Sequence, residues 1–203
     1  MTSALVIPPD PTTSDHFVYL HRVSWEEYER LLAMRGDASV PHITYLKGEV
    51  ELMSPSRYHE NDKKCFARLL EAWAMEKGVA LEGVGSWTIK ERREERGAEP
   101  DECYLVGRVA ETDDDRPDIA IEVVWTSGGI DKLEVYRKLG VREVWFYERG
   151  SLRFFTLSNE NYSEIPKSLV LPGLDAGLLV AFMKEPSQTD AIRRLLEELR
   201  HGR

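Results

Sequence analysis

A chain of 203 residues with 42% hydrophobic and 31% charged side chains can bury one sizeable core and has the composition of a soluble globular protein. Its net charge, 27 − 36 = −9, argues against nucleic-acid binding through a generic basic surface, while leaving room for a local basic groove or for positive charge brought by metal ions. No apolar run approaches the roughly 18 residues of a membrane span. Cys65 and Cys103 lie too far apart for metal-finger spacing and read as buried reduced thiols.

The N-terminal MTSALVIPPDPTTSD has no basic leader, and its apolar run, ALVI, is short. With Pro8, Pro9 and Pro11 it reads as a flexible tail over 1–14, followed by a single domain over 15–203 and a cytoplasmic location. Ser24-Trp25-Glu26-Glu27 fits a capping box, and Trp25, Tyr28, Leu31 and Leu32 recur at helical spacing, so a helix is expected over 24–34. HITYL and EVELM flank Lys47-Gly48, a hairpin with a two-residue turn. Phe66, Leu69, Leu70 and Trp73 mark one face of a long helix over 57–77, closed by Gly78.

Strands are expected near 79–82 and 85–90. REERGAE reads as a glycine loop, and strand 101–106, the acidic loop VAETDDDR and strand 117–125 follow. Pro100 and Pro117 open their strands, where a missing N–H matters least. After a break at 126–129, Ile130, Leu133, Tyr136 and Leu139 give a helix over 130–139, ended by Gly140. VREVWFYE, the Arg149-Gly150 turn, SLRFFTL, a short strand near SLVLP, the apolar LLVAFM and a helix over 187–200 complete the chain. The order predicts an α/β (α+β) fold, a central mixed β-sheet flanked by helices. Residues 117–148 form a strand–helix–strand unit with parallel strands and a right-handed crossover.

Two Pro-Asp dipeptides frame the stretch that carries chemistry. Antiparallel pairing sets Asp101 opposite Glu122, with Cβ atoms about 4.5–5.5 Å apart. Two carboxylates so close repel unless a cation lies between them, and a divalent metal explains the pair. Asp118 is roughly 13 Å further along the strand and reads as punctuation. Glu122 is the lone acid in IAIEVV, with small Ala120 on the same face; its apolar neighbours argue against a solvated charge. Lys132 opens its helix against the dipole, so local helix stability does not explain it. Lys138 reads as a surface partner of Glu134.

These pieces resemble the PD-(D/E)XK nuclease superfamily, with its restriction-endonuclease-like fold, and more closely the large bacterial family described as putative restriction endonucleases. The carrying segments are SWEEYERLL, KGEVELMSPSRYH, EPDECYLV, PDIAIEVV, DKLEVYRKLGVREVWFY and SLVLPGL. The resemblance implies an endonuclease that hydrolyses DNA phosphodiester bonds with Mg²⁺ (Mn²⁺ as an alternative). Asp101 and Glu122 hold the ion, Lys132 is the catalytic lysine, and Glu49 and His59 are secondary site positions. Val124 stands where the superfamily has its strand lysine, and WTSGG stands where the family often has Ser-Pro-Ser. A second reading is a catalytically inactive nuclease-fold protein serving as a nucleic-acid-binding or assembly module. The strand VWFYE and the Trp-rich helices suit a homodimer.

Overall fold

The computed structural model describes residues 14–112, 115–125 and 129–201. The expected tail, apart from Ser14, lies outside the described residues, as do parts of the 107–116 and 126–129 loops. In chain order the first elements are β1 (His16–Leu20), α1 (Trp25–Arg35), β2 (His42–Leu46), β3 (Glu49–Ser54), α2 (Arg57–Lys77), β4 (Leu81–Gly83), β5 (Ile89–Glu91) and β6 (Arg96–Ala98). There follow β7 (Glu102–Val106), β8 (Ile119–Val124), α3 (Lys132–Leu139), β9 (Glu143–Glu148), β10 (Ser151–Ser158), β11 (Asn161–Ile165), α4 (Ala176–Phe182) and α5 (Gln188–His201).

The strands form two sheets. One is wholly antiparallel, in the order β1-β3-β2-β6-β5; the other is mixed, in the order β11-β10-β9-β8-β7-β4. Three tight hairpins follow from their turn residues. Leu46 pairs with Glu49 across Lys47 and Gly48, Glu148 with Ser151 across Arg149 and Gly150, and Ser158 with Asn161 across Asn159 and Glu160; all six turn residues have positive φ. That backbone twist matches the twist of the flanking strands. The sole parallel pair among the described residues, β8 with β9, is bridged by α3, as the strand–helix–strand reading requires.

The mixed sheet flanked by helices is the expected one, and the antiparallel sheet stands beside it. The REERGAE segment, expected as a loop, supplies β6, which joins β2 to β5. A three-residue strand with glycine at its centre has no periodicity to reveal it. The glycine is required for space: a Cβ on Gly97 would overlap the Tyr28 hydroxyl and lie 2.6 Å from Cζ of that ring.

Helix α2 buries Phe66, Leu69, Leu70 and Trp73 against Ile119, Ile121 and Val123 on one face of the mixed sheet, with Leu195 and Leu199 of α5. On the other face Val135, Tyr136 and Leu139 of α3 pack against Ala120 and Val144, and also against Ile89 and Ala98 of the antiparallel sheet. Helix α3 is thus the wall shared by both sheets. Helix α1 presses Trp25 and Tyr28 onto Ile43, Tyr45 and Val50.

Some details depart from expectation. SLVLP is a series of bends, not a strand. Its backbone is held by a buried side chain: Glu143 accepts from the N–H groups of Leu169 and Val170 and from the Ser168 hydroxyl. The Glu134–Lys138 pair does not form. Glu134 turns to Arg96 and Arg137, and Lys138 lies 3.5 Å from Glu160. Buried Arg96 wins that competition because a guanidinium there must be met by acceptors. Asp118 accepts the Val106 N–H and pairs with Arg142 at 3.1 Å, a structural role far from the centre described below. Both cysteines are free and buried. No helix among the described residues is long and apolar enough to cross a membrane.

Candidate active site

The β7–β8 register, Glu102 opposite Ile121, sets Asp101 opposite Glu122 one step further on. Asp101 donates its N–H to the Ile121 carbonyl at 3.1 Å and accepts the Val123 N–H on Oδ2 at 2.7 Å. The carboxylate thus prolongs the ladder beyond the end of β7. Its other oxygen, Oδ1, lies 3.0 Å from His59 Nε2 and 3.3 Å from His42 Nδ1. Those three atoms are buried and close enough for strong electrostatic contact, yet out of line for hydrogen bonds.

His59 reaches this point from the first turn of α2, where Ser56 caps the helix by accepting the His59 N–H. Its Nδ1 lies 3.2 Å from Asp15. Burial would discharge the imidazole, but Asp101 and Asp15 on its two nitrogens outweigh burial and raise its pKa to about 10. Burial would likewise raise Asp101, but His42 and His59 hold it well below the usual carboxylate range. Asp15 is lowered, with burial again outweighed by His59 and by the Ser56 N–H.

Glu122 belongs to a second group. It accepts from the Tyr136 hydroxyl at 2.5 Å and lies 3.4 Å from Lys132 Nζ. Lys132 is the first residue of α3, a placement fixed by Asp131, whose side chain caps the helix through the Glu134 N–H. The ammonium donates to Thr44 Oγ1 at 2.8 Å and lies 4.0 Å from Glu51. Glu51 also accepts the N–H groups of Gly129 and Ile130, at 2.8 and 3.3 Å, tying the approach to α3 onto β3. Burial first, then Asp101, raises the Glu122 pKa against the pull of Lys132. Burial lowers the Lys132 pKa, but Glu122 and Glu51 prevail, and it stands above the ordinary lysine value.

Glu51, His59, Glu122 and Lys132 border one cleft of about 440 Å³, together with Phe17, Phe146, Phe155 and Arg153. Asp101 and His42 border a separate recess. Of the residues singled out in the sequence, Glu122 and Lys132 meet directly, Asp101 stands opposite Glu122, and His59 touches Asp101. Glu49 is not brought to them; it is exposed at the hairpin end of β3 and pairs with His21.

The sequence reading missed Asp15, His42, Thr44, Glu51 and Tyr136. Glu51 carried a usable signal, a lone acid within the apolar run VELM, the same criterion that selected Glu122. Tyr136 lies one turn after Lys132 on a helix the sequence does reveal; Asp15, His42 and Thr44 come from distant segments and carry no local mark.

Among the described residues, no group of three His, Cys, Asp or Glu side chains forms a ready metal-binding set. A hard dication that keeps most of its water needs only one or two carboxylates. Asp101 and Glu122 fit that lesser demand. They are opposed in register, and Asp101 Oδ1 is a buried oxygen without an aligned donor.

A mixed β-sheet flanked by helices, with a strand acid met by a lysine where α3 joins it, has the layout of the restriction-endonuclease-like class. The profile of the family described as "Uma2: Putative restriction endonuclease" matches residues 25–179, and the chain belongs to that family. Among solved structures it is similar to one described as a "putative nuclease belonging to DUF820" from Anabaena variabilis ATCC 29413. The identity is 14%, the TM-score 0.48, and the match covers 85% of this chain and 99% of that one. No curated protein matches.

Proposed function

We propose that this protein is a Mg²⁺-dependent endonuclease acting on DNA, with Asp101, Glu122 and Lys132 at its centre. The observation that carries this reading is the contact of Lys132 with Glu122 at 3.4 Å on the wall of the cleft, with Asp101 in register behind it. Asp101 and Glu122 are the residues that would hold the ion, and a bound dication would activate water and stabilise charge on the scissile phosphate.

The remaining work falls to the chain itself. Lys132 stays charged at neutral pH, so it acts as an electrostatic group and not as a base. One of its three donors is spent on Thr44 and another faces Glu122; the third has only the more distant Glu51 carboxylate, at 4.0 Å, and can turn to a phosphate oxygen in the cleft. Glu51 holds both the ammonium and the backbone leading to it. The Val123 N–H fixes the orientation of Asp101, and His59, gripped by Asp15, adds positive charge 3.0 Å from its other oxygen. A homodimer would bring two such centres to the two strands of a duplex, and light scattering on the purified protein reads that state.

Supercoiled plasmid incubated with the protein and Mg²⁺ tests the proposal. Cleavage is expected, with Glu122→Gln and Asp101→Asn slower by about 10²-fold or more, the scale of losing one preorganised electrostatic group. Unchanged cleavage in both variants overturns the assignment.

One observation favours the second reading, a non-catalytic module: Asp101 is already compensated by two imidazoles. Calorimetric titration with Mg²⁺ and Mn²⁺ separates the two, since absence of binding by either ion selects the module.

A further inference from the structure

The cleft has a neighbour on the opposite face of the mixed sheet. The C-terminal ends of β8 and β9 divide them. Val124, Phe146 and Glu148 line the cleft, while Trp125, Tyr147 and Arg149 line a second groove of about 580 Å³ that Lys184 completes. Trp125 is 39% exposed and Tyr58, beside His59, is 50% exposed. Their rings stack with centroids 5.6 Å apart and planes 10° apart. Two part-exposed aromatic rings held parallel form a platform. Arg149 and Lys184 are exposed, and neither is engaged by a carboxylate of the described residues; Asp62 is the one acid lining the groove. On a chain of net charge −9, two uncompensated cations next to an exposed indole are a local reversal of sign. Planar apolar faces set beside cations are complementary to bases set beside phosphates.

We infer that this groove is a binding subsite for single-stranded nucleic acid. A base lies on the Trp125–Tyr58 platform and the adjoining phosphates lie on Arg149 and Lys184, as the strand passes over the end of β8 from the cleft. This rests on the nuclease reading for what happens at the cleft, but binding is measured without cleavage. The substrate class that follows is an unpaired or locally opened strand, because a base inside a duplex cannot reach a ring face.

The test is fluorescence anisotropy of a labelled ten-nucleotide oligo-dT with the full chain in chelator, alongside plasmid cleavage with Mg²⁺. Trp125→Ala is expected to weaken oligo-dT binding about tenfold, the scale of one lost base stack, and Trp125→Tyr to retain most of it. Arg149→Ala with Lys184→Ala is expected to lower the slope of log affinity against log salt by about 1.4, at about 0.7 per phosphate contact. Binding by these variants equal to the unaltered protein overturns the subsite and leaves the nuclease reading standing. So does cleavage of plasmid by a protein that does not bind oligo-dT. Failure of both binding and cleavage overturns both.

Discussion

Lys132 and Glu122 face each other across 3.4 Å where α3 meets the mixed sheet, with the Glu51 carboxylate 4.0 Å from the same ammonium. One cation therefore serves two buried acids. Removing it leaves charges without compensation in a poorly solvated place, and the cost of breaking a buried pair is about 3–5 kcal/mol. Lys132→Met is expected to destabilise the fold by an amount on that order. Lys132→Met combined with Glu122→Gln is expected to recover part of the loss, because the second change removes one stranded charge. Urea unfolding of the two single variants and the double variant measures the coupling; strict additivity would contradict it.

Tyr136 gives Glu122 its one hydrogen bond from a neutral donor among the described residues, from a ring fully buried in α3. Tyr136→Phe keeps the ring and removes the hydroxyl. The expected cost is about 1.5–3 kcal/mol, the range for a hydrogen bond to a charged group. The Glu122 pKa is expected to rise further, since the bond favours the carboxylate. Chemical denaturation gives the first quantity and carboxyl NMR titration the second.

Glu134 supplies an acid-sensitive contact. The Arg137 hydrogen bond, against the effect of burial and with help from Arg96, lowers its pKa from 4.5 to about 2. A depressed folded-state value means that the stabilisation is fully present above the unfolded pKa and is lost as pH falls from about 4.5 through about 2. Glu134→Gln is therefore expected to be less stable than the unaltered protein at pH 7, with the gap closing toward pH 2.5. Thermal unfolding at a series of pH values follows it; a gap independent of pH would remove the ionic account.

Gly97 tests the seam between α1 and β6. Its φ lies outside the left-handed region, and the three atoms nearest an added Cβ all belong to the Tyr28 side chain. Gly97→Ala is expected to destabilise by about 1–3 kcal/mol or more through overpacking. Adding Tyr28→Phe removes the hydroxyl that clashes first and is expected to restore part of the loss. Melting temperatures of the three variants report both steps.

Elements with a strong period or turn chemistry were legible in the sequence. Helix α2 spans the expected 57–77, and the two positive-φ turns close the hairpins they foretold. So was the Asp101–Glu122 register, because a short connection fixes antiparallel pairing. What escaped was either short or non-local. β6 has three residues and a glycine; SLVLP has strand-like composition but is claimed by the Glu143 side chain, which lies 25 residues or more away. The imidazoles on Asp101 come from β2 and α2, and only tertiary packing brings His42 and His59 within 3.3 Å of one carboxylate. Glu49 was preferred to Glu51 because the resemblance pointed there; burial within the strand, which distinguishes the two, is set by what packs over β3.

Lys132 and Tyr136 are one turn apart on α3, on the same side of the helix. Through Lys132 that turn grips Thr44 and Glu51 of the antiparallel sheet, and through both residues it grips Glu122 of the mixed one. The helix acts as a key that fits only when the two sheets are docked in one alignment. A slip of about an ångström would part the ammonium from its hydroxyl partner while leaving every strand paired. Competence at this centre therefore belongs to the docking of the sheets, and heat or a mutation at their seam can abolish it in a chain that is still folded.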